Sequence, residues 1–183
     1  MRRGVEAPFQ LLVSVFTMVM VVSIAFYVLK MVGSENCAKR WTQSTEDLAA
    51  AIVRVGMSEP PTTSSARLVI HCGNSGKHEY QFVQLSGGDC TRVCGEVSDT
   101  CYGIQHRIYD VRGEPLRADR VCLRGMSPYM YFLLQSGHSD CPPGYDPFIT
   151  DTVNMVAEVE GGTVLPVFVF RTSNGIALCV KRS

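Results

Sequence analysis

The chain has 183 residues, of which 17 are basic and 17 acidic, so its formal net charge is zero. This length allows one ordinary domain with a modest core beside any membrane segment. No basic stripe appears, so nucleic-acid binding has no electrostatic support and we expect no nucleic-acid partner.

An uncharged apolar stretch dominates the N-terminal part of the chain. Residues 7–29 (APFQLLVSVFTMVMVVSIAFYVL) contain no formal charge. A helix rises about 1.5 Å per residue, so a helix of this length crosses a hydrocarbon core of about 30 Å. We therefore predict a membrane anchor, with residues 1–6 as a cytoplasmic flank and residues 7–32 as a transmembrane or filament-core helix.

A cleaved secretory signal peptide is the alternative interpretation of this stretch. The apolar core of such a peptide is usually shorter, about 7 to 15 residues, and a small-residue cleavage site follows it. The sequence after Tyr27 offers no such site. This favours a retained signal anchor in contact with membrane lipid.

Cysteine residues are the second conspicuous feature, and all eight follow the apolar stretch. An even number on one side of a membrane segment is typical of disulfides formed in an oxidising compartment. We predict disulfides at Cys37, Cys72, Cys90, Cys94, Cys101, Cys122, Cys141 and Cys179. The sequence does not choose among the pairings, although Cys141 could tie its loop to a strand such as the one carrying Cys179. Reduced thiols in a cytosolic domain are the alternative.

The orientation in the membrane follows only weakly from charge. Arg2 and Arg3 precede the apolar stretch, but Lys30 follows it directly. The short N-terminal flank and the position of the cysteines lead us to predict a single-pass protein of the cell membrane, with its N-terminus inside and its cysteine-rich part outside.

Residues 33–57 are predicted to continue the helix as an amphipathic stalk. Apolar and small residues recur at spacings of three and four, including Trp41, Leu48, Ile52 and Val55, and they define one face. Cys37 begins that face and could tie the stalk to the domain that follows. A nearly continuous helix from about residue 8 to 56 is plausible, and the paired prolines and hydroxyl residues of 58–65 are then a linker.

The remaining residues, 66–183, are predicted to form an extracytoplasmic β-rich head. Alternating apolar residues predict strands at 66–72, at 79–85 and around 102–108. Three further segments, at 153–160, 164–170 and 176–180, are separated by glycine-containing turns and predict a three-stranded meander. Residues 128–135 fit either a strand or a short helix. The predicted fold class is α+β, with a long N-terminal helix packed on a disulfide-stapled antiparallel β-sheet.

Residues that could carry chemistry are few. Cys90, Cys94, Cys101 and His106 could bind zinc through thiolates and an imidazole, but paired C-x2-C knuckles are absent and structural disulfides are favoured. The four histidines, at positions 71, 78, 106 and 138, lack any paired metal-binding spacing and are interpreted as ordinary strand and loop residues. No nucleotide-binding or hydrolase motif is present. We therefore predict no catalytic residue, no metal and no cofactor.

The order of elements resembles that of type IV pilins, especially archaeal pilin-like proteins with class III signal peptides. The resemblance rests on Arg2, Arg3 and Gly4 ahead of Glu6 and the apolar run. It implies cleavage after Gly4, a new N-terminus at Val5, and a role for Glu6 in aligning one subunit with the next. The glutamate would be the second residue after the cut, whereas the bacterial pattern places it fifth.

The resemblance also implies a function and its partners. The protein is expected to be a non-enzymatic, membrane-anchored structural protein of the cell surface, which forms a homo-oligomer or packs with sister pilin-like subunits through the apolar helix. An extracellular filament is one expected form. The alternatives are a single-pass accessory or surface-binding protein that does not polymerise, and a membrane-tethered enzyme that depends on a metal or a thiol.

Overall fold

The computed structural model describes residues 6–69, 75–160 and 164–182. These residues form one long helix, two short helices and eight strands. In chain order they are α1 (Glu6–Gly56), β1 (Thr62–Val69), β2 (Ser75–Ser86), α2 (Gly88–Cys94), β3 (Thr100–Asp110), β4 (Pro115–Cys122), α3 (Pro128–Gly137), β5 (Tyr145–Pro147), β6 (Val156–Glu160), β7 (Val164–Arg171) and β8 (Ile176–Lys181).

The chain divides into two compact units, one ending at Ala38 and the other beginning at Lys39. Helix α1 contributes to both units, because it runs to Gly56. The stalk predicted for residues 33–57 therefore belongs mostly to the second unit, together with all strands.

Two antiparallel four-stranded sheets make up most of the second unit. Their strand orders are β1-β7-β8-β5 and β4-β3-β2-β6. The long β2–β3 pair keeps a regular register in which Tyr80 faces His106 and Phe82 faces Ile104. The predicted α+β class with antiparallel sheets is confirmed.

Helix α1 supplies one face to the core of the second unit. Leu48, Ile52 and Val55 are completely buried in a cluster that also contains side chains from both sheets and from α3. Trp41 and Ser44, on the same face, are buried as well. The spacing of three and four residues therefore predicted the buried face of the helix correctly.

The predicted linker is too long, because β1 already begins at Thr62. This strand lies at the edge of its sheet, where it pairs with β7 alone. An edge strand has one side open to water, so a run of hydroxyl residues is acceptable there. The paired prolines end before the strand begins.

The predicted three-stranded meander is wrong in its first strand. Strands β7 and β8 pair as expected, but β6 joins the other sheet, where it pairs with β2. Lys77 of β2 also forms an ion pair with Glu158 of β6 at 2.8 Å. Strand β6 begins only at Val156, so Val153 is exposed in the preceding turn and does not share a face with the strand.

Two segments that the sequence pattern did not assign are helices. Residues 128–135 belong to α3, whose N-terminus is capped by the Ser127 side chain, which accepts a hydrogen bond from the Met130 amide. Pro128 fits the first turn of a helix because its missing N–H has no role there. The second is α2, which carries Cys90 and Cys94 and for which the sequence pattern predicted no element.

Close packing between α3 and the turn before β8 requires glycine on both sides. A Cβ atom on Gly137 or on Gly175 would collide with the backbone of the other segment. Without these side chains the helix lies directly against the turn, and Leu133 and Leu134 are buried in the core.

Replacing Ile52 tests whether the predicted face of α1 stabilises the second unit. We expect Ile52→Ala to lower the free energy of unfolding by about 2 to 5 kcal/mol, because it leaves a cavity in a packed core. Gln43→Ala, at an exposed position of the same helix, should change it by no more than about 0.5 kcal/mol. Denaturant titration of the detergent-solubilised chain measures both, and equal effects would contradict the packing.

Candidate functional site

The apolar part of α1 exposes its side chains on every side. Phe16 is 67% exposed and Met18 is 70% exposed, although residues two apart lie on nearly opposite sides of a helix. Among the described residues, α1 is the one helix long and apolar enough to cross a membrane. Burying a large apolar side chain contributes about 1.5 to 3 kcal/mol, so contact with lipid or with other apolar helices is strongly favoured over contact with water.

The Thr17 hydroxyl within this apolar segment is satisfied inside the helix. It donates to the carbonyl oxygen of Ser14 at 2.9 Å. A polar group that is already hydrogen-bonded costs little to place in an apolar environment. Thr17 is therefore compatible with a hydrocarbon environment.

The predicted processing and assembly residues lie at the edge of the described chain. Gly4 and Val5 are outside the described residues, and Glu6 is the first residue of α1. The predicted roles of these three residues stay predictions.

Six of the predicted disulfide cysteines pair within the second unit. The pairs are Cys90–Cys101, Cys94–Cys122 and Cys141–Cys179. Cys37 is disulfide-bonded as well, and Cys72 lies outside the described residues. In the chain-entropy model, closed loops of these lengths contribute about 3 to 4 kcal/mol each.

The disulfides use the cysteines that were considered for the alternative zinc site. Cys90 and Cys101 are bonded to each other and Cys94 is bonded to Cys122, whereas a zinc site needs thiolates. His106 belongs to a different cluster, described next. In the ranges 6–69, 75–160 and 164–182 no group of three or more His, Cys, Asp or Glu side chains could hold a metal ion.

A buried polar cluster lies between α1 and the β2–β3 pair. His78 and His106 are at most 1% exposed, and the distance from His78 Nδ1 to His106 Nε2 is 2.9 Å. Thr45 of α1 approaches His106 Nδ1 at 3.4 Å. The Tyr80 ring stacks on His106 with centroids 4.3 Å apart, and Trp41 meets His78 edge-on.

The hydrogen bonds of this cluster define one order of protons. The Thr45 hydroxyl has a single hydrogen, which it donates to the Trp41 carbonyl oxygen at 2.9 Å. We therefore assign Thr45 as the acceptor from His106 Nδ1–H, which leaves His106 Nε2 to accept from His78 Nδ1–H. Both rings are neutral in this arrangement.

A second proton on His106 is unfavourable for two physical reasons. Burial is the larger one, and the neighbouring His78 and Arg117 add to it, so that the pKa of His106 falls from 6.5 to about 3. In the assigned arrangement, a proton on Nε2 would also point at another N–H group. The cluster is closed to solvent, and its side chains pack in the interior of the second unit.

This cluster was not predicted from the sequence. His78 and His106 were interpreted as ordinary strand or loop residues, yet His106 alternates with Ile104 and Ile108, which are both buried. That alternation indicated an inward-facing histidine. The partnership with His78 depends on the register of β2 against β3, which the sequence pattern did not supply.

Comparison of the chain with models of protein families, with curated proteins and with solved structures found no match.

The buried histidines predict a loss of stability in mild acid. The folded-state pKa of His106 is lowered, so its contribution is fully present above about pH 6.5 and is lost as the pH falls toward 3. For this one group the slope is about 1.4 kcal/mol per pH unit. His106→Gln should reduce the slope of unfolding free energy between pH 6.5 and 4.5 by about that amount, measured by denaturant titration. The surface variant Gln43→Ala serves as control, and an unchanged slope in His106→Gln would contradict the assignment.

Two tyrosine hydroxyls provide a matched comparison. Tyr80 is completely buried and its hydroxyl has no hydrogen-bond partner among the described residues, whereas the Tyr131 hydroxyl donates to the Phe82 carbonyl oxygen at 3.1 Å. Tyr131→Phe should cost about 1 kcal/mol of unfolding free energy, and Tyr80→Phe should cost nothing or stabilise the protein. The opposite ranking in thermal unfolding would show that the Tyr80 hydroxyl is satisfied.

Proposed function

We propose that this protein is a membrane-anchored, extracytoplasmic structural protein of pilin-like architecture. Its apolar helix segment assembles with copies of itself or with sister subunits, and the disulfide-stabilised second unit is displayed outside the cell. The proposed location is the cell membrane, with the N-terminus inside, and an extracellular filament after assembly.

The observation that carries the proposal is the contrast between the two parts of α1. Residues 9–29 are exposed around the whole circumference of the helix, whereas residues 41–55 bury a single face. An apolar surface on all sides of a helix needs an apolar environment on all sides. Lipid supplies it before assembly, and neighbouring helices supply it in a filament.

The disulfides support the proposed side of the membrane. Disulfides persist in oxidising compartments and are rare in the cytosol. The second unit contains three pairs with ordinary separations between their Cα atoms, from 5.0 to 5.9 Å. The apolar helix and these bonds are compatible with a membrane-anchored protein whose folded part lies outside the cytosol.

The assembly step is proposed to use the N-terminal residues. Cleavage after Gly4 would leave Val5 as a new α-amine and Glu6 as a carboxylate at the start of an apolar helix. Since an isolated carboxylate is costly in an apolar environment, Glu6 is expected to pair with the α-amine of an adjacent copy. This pairing would set the register between neighbouring helices.

The mass of the N-terminus in native membranes tests this proposal. We expect a mature chain that begins at Val5, and a Gly4→Leu variant that keeps Met1. Glu6→Gln should still be processed but assemble poorly, as judged by sedimentation and electron microscopy of filaments. Glu35→Gln, on the same helix, is the matched control. An intact Met1 on a chain that never polymerises would support the single-pass accessory protein instead.

A further inference from the structure

A groove of about 700 Å³ lies along α1 within the second unit, between that helix and the end of β4. Val121 at its base is buried and Val53 is half-buried, whereas Arg54 and Arg124 at its edge are exposed. The groove thus combines an apolar base with cationic edges. We call it the arginine groove.

The positive charges at its edge are only partly balanced within the described part of the chain. Arg120 forms an ion pair with Asp89 at 3.3 Å, but Arg54 and Arg124 have no carboxylate partner in the described part of the chain. Glu46 is the one acidic residue that lines the groove. The surface therefore favours an anionic partner that also carries an apolar group.

Residues 95–99 (GEVSD), which we call the acidic loop, have the complementary composition. Val97 is 97% exposed, and Glu96 and Asp99 on either side of it are exposed too. Neither carboxylate has a hydrogen-bond or ion-pair partner among the residues that the structure describes. The loop thus presents an apolar tip between two unpaired negative charges.

Other exposed valines lack this combination. The turn with Val111 contains Asp110, whose carboxylate already accepts from the amides of Arg112 and Glu114. The turn with Val153 contains Asp151, whose carboxylate accepts from Asn154. Of these three loops, the acidic loop is the one in which an exposed valine lies between two carboxylates without a partner among the described residues.

The acidic loop is also held in place before any partner binds. Cys94, which precedes it, is bonded to Cys122, and Cys101, which follows it, is bonded to Cys90. Gly95 begins the loop in the left-handed conformation with a φ of 70°, which suits glycine. A preordered loop loses little conformational entropy on binding.

We propose that the acidic loop of one copy docks in the arginine groove of a second copy. Loop and groove are neighbours on one surface, because the loop directly follows α2, whose Val93 lines the groove. Two copies related by a two-fold axis can therefore exchange loops reciprocally. The contact deepens the proposed function and rests on it, since assembly through the apolar helix brings the copies together.

Photo-crosslinking of the full-length chain in lipid vesicles tests the contact. With p-benzoylphenylalanine at position 97 and a mixture of isotopically light and heavy chains, we expect adducts between copies in the segments 46–57 and 120–124. Adducts to lipid, to other segments, or only within one chain would overturn the proposal.

Charge reversal sharpens the test. Glu96→Arg with Asp99→Arg, or Arg54→Glu with Arg124→Glu, should each lower the yield of adducts between copies about tenfold or more. Mixing the two variants should restore it, which also shows that both fold. Arg112→Glu with Glu114→Arg, in the turn at the far end of β4, is the matched control and should have no effect. Failure of the mixture to restore the yield would overturn the proposal.

The outcome is separable from that of the proposed function. Adducts between copies in a chain that keeps Met1 and forms no filaments would leave the loop contact standing and reject the pilin-like function. Filaments without these adducts would reject the loop contact alone.

Discussion

Burial of one face of α1 against both sheets is the interaction on which the second unit depends. Leu48, Ile52 and Val55 are completely buried in the main core, which also includes residues from β1, β3 and β8. The two sheets share no strand, so the helix face is one of the surfaces that both contact. Removing it would expose apolar residues of each sheet.

The same helix has to satisfy two different environments. Its later residues follow an amphipathic period with polar side chains on the outer face, whereas its earlier residues are apolar on every side. Helix geometry is identical in both parts, because the backbone hydrogen bonds are internal in water and in lipid alike. What changes is the surface that each part presents, and hence what it can contact.

The buried histidines show how the second unit keeps polar groups in its core. Each neutral ring has one donor and one acceptor. The chain from His78 through His106 and Thr45 to the Trp41 carbonyl pairs both ring nitrogens of His106 and the Nδ1–H of His78. Such a network links α1 to both strands of the β2–β3 pair. It is stable only while the rings remain neutral, which is why acid should weaken it.

Local patterns in the sequence were enough to predict the helix, its buried face and the α+β class. The apolar stretch and the spacing of Leu48, Ile52 and Val55 reflect a period of 3.6 residues that any helix must follow. The pairing of β6, the helix α2 and the start of β1 could not be predicted in the same way. Short segments gain their structure from neighbours that are distant in sequence. The pairing of Cys141 with Cys179 was only one of many possible pairings, because the sequence does not determine which cysteines lie close together.

The buried histidine pair and the arginine groove both arise from long-range packing. His78 and His106 meet because β2 and β3 pair in one particular register, and a shift of one residue would turn every side chain to the other face. The arginine groove likewise combines Arg54 and Arg124, which are far apart in sequence and come together only when α1 packs beside β4. A linear sequence records the residue types and their local period, whereas contacts between distant segments arise from the packing of the whole core.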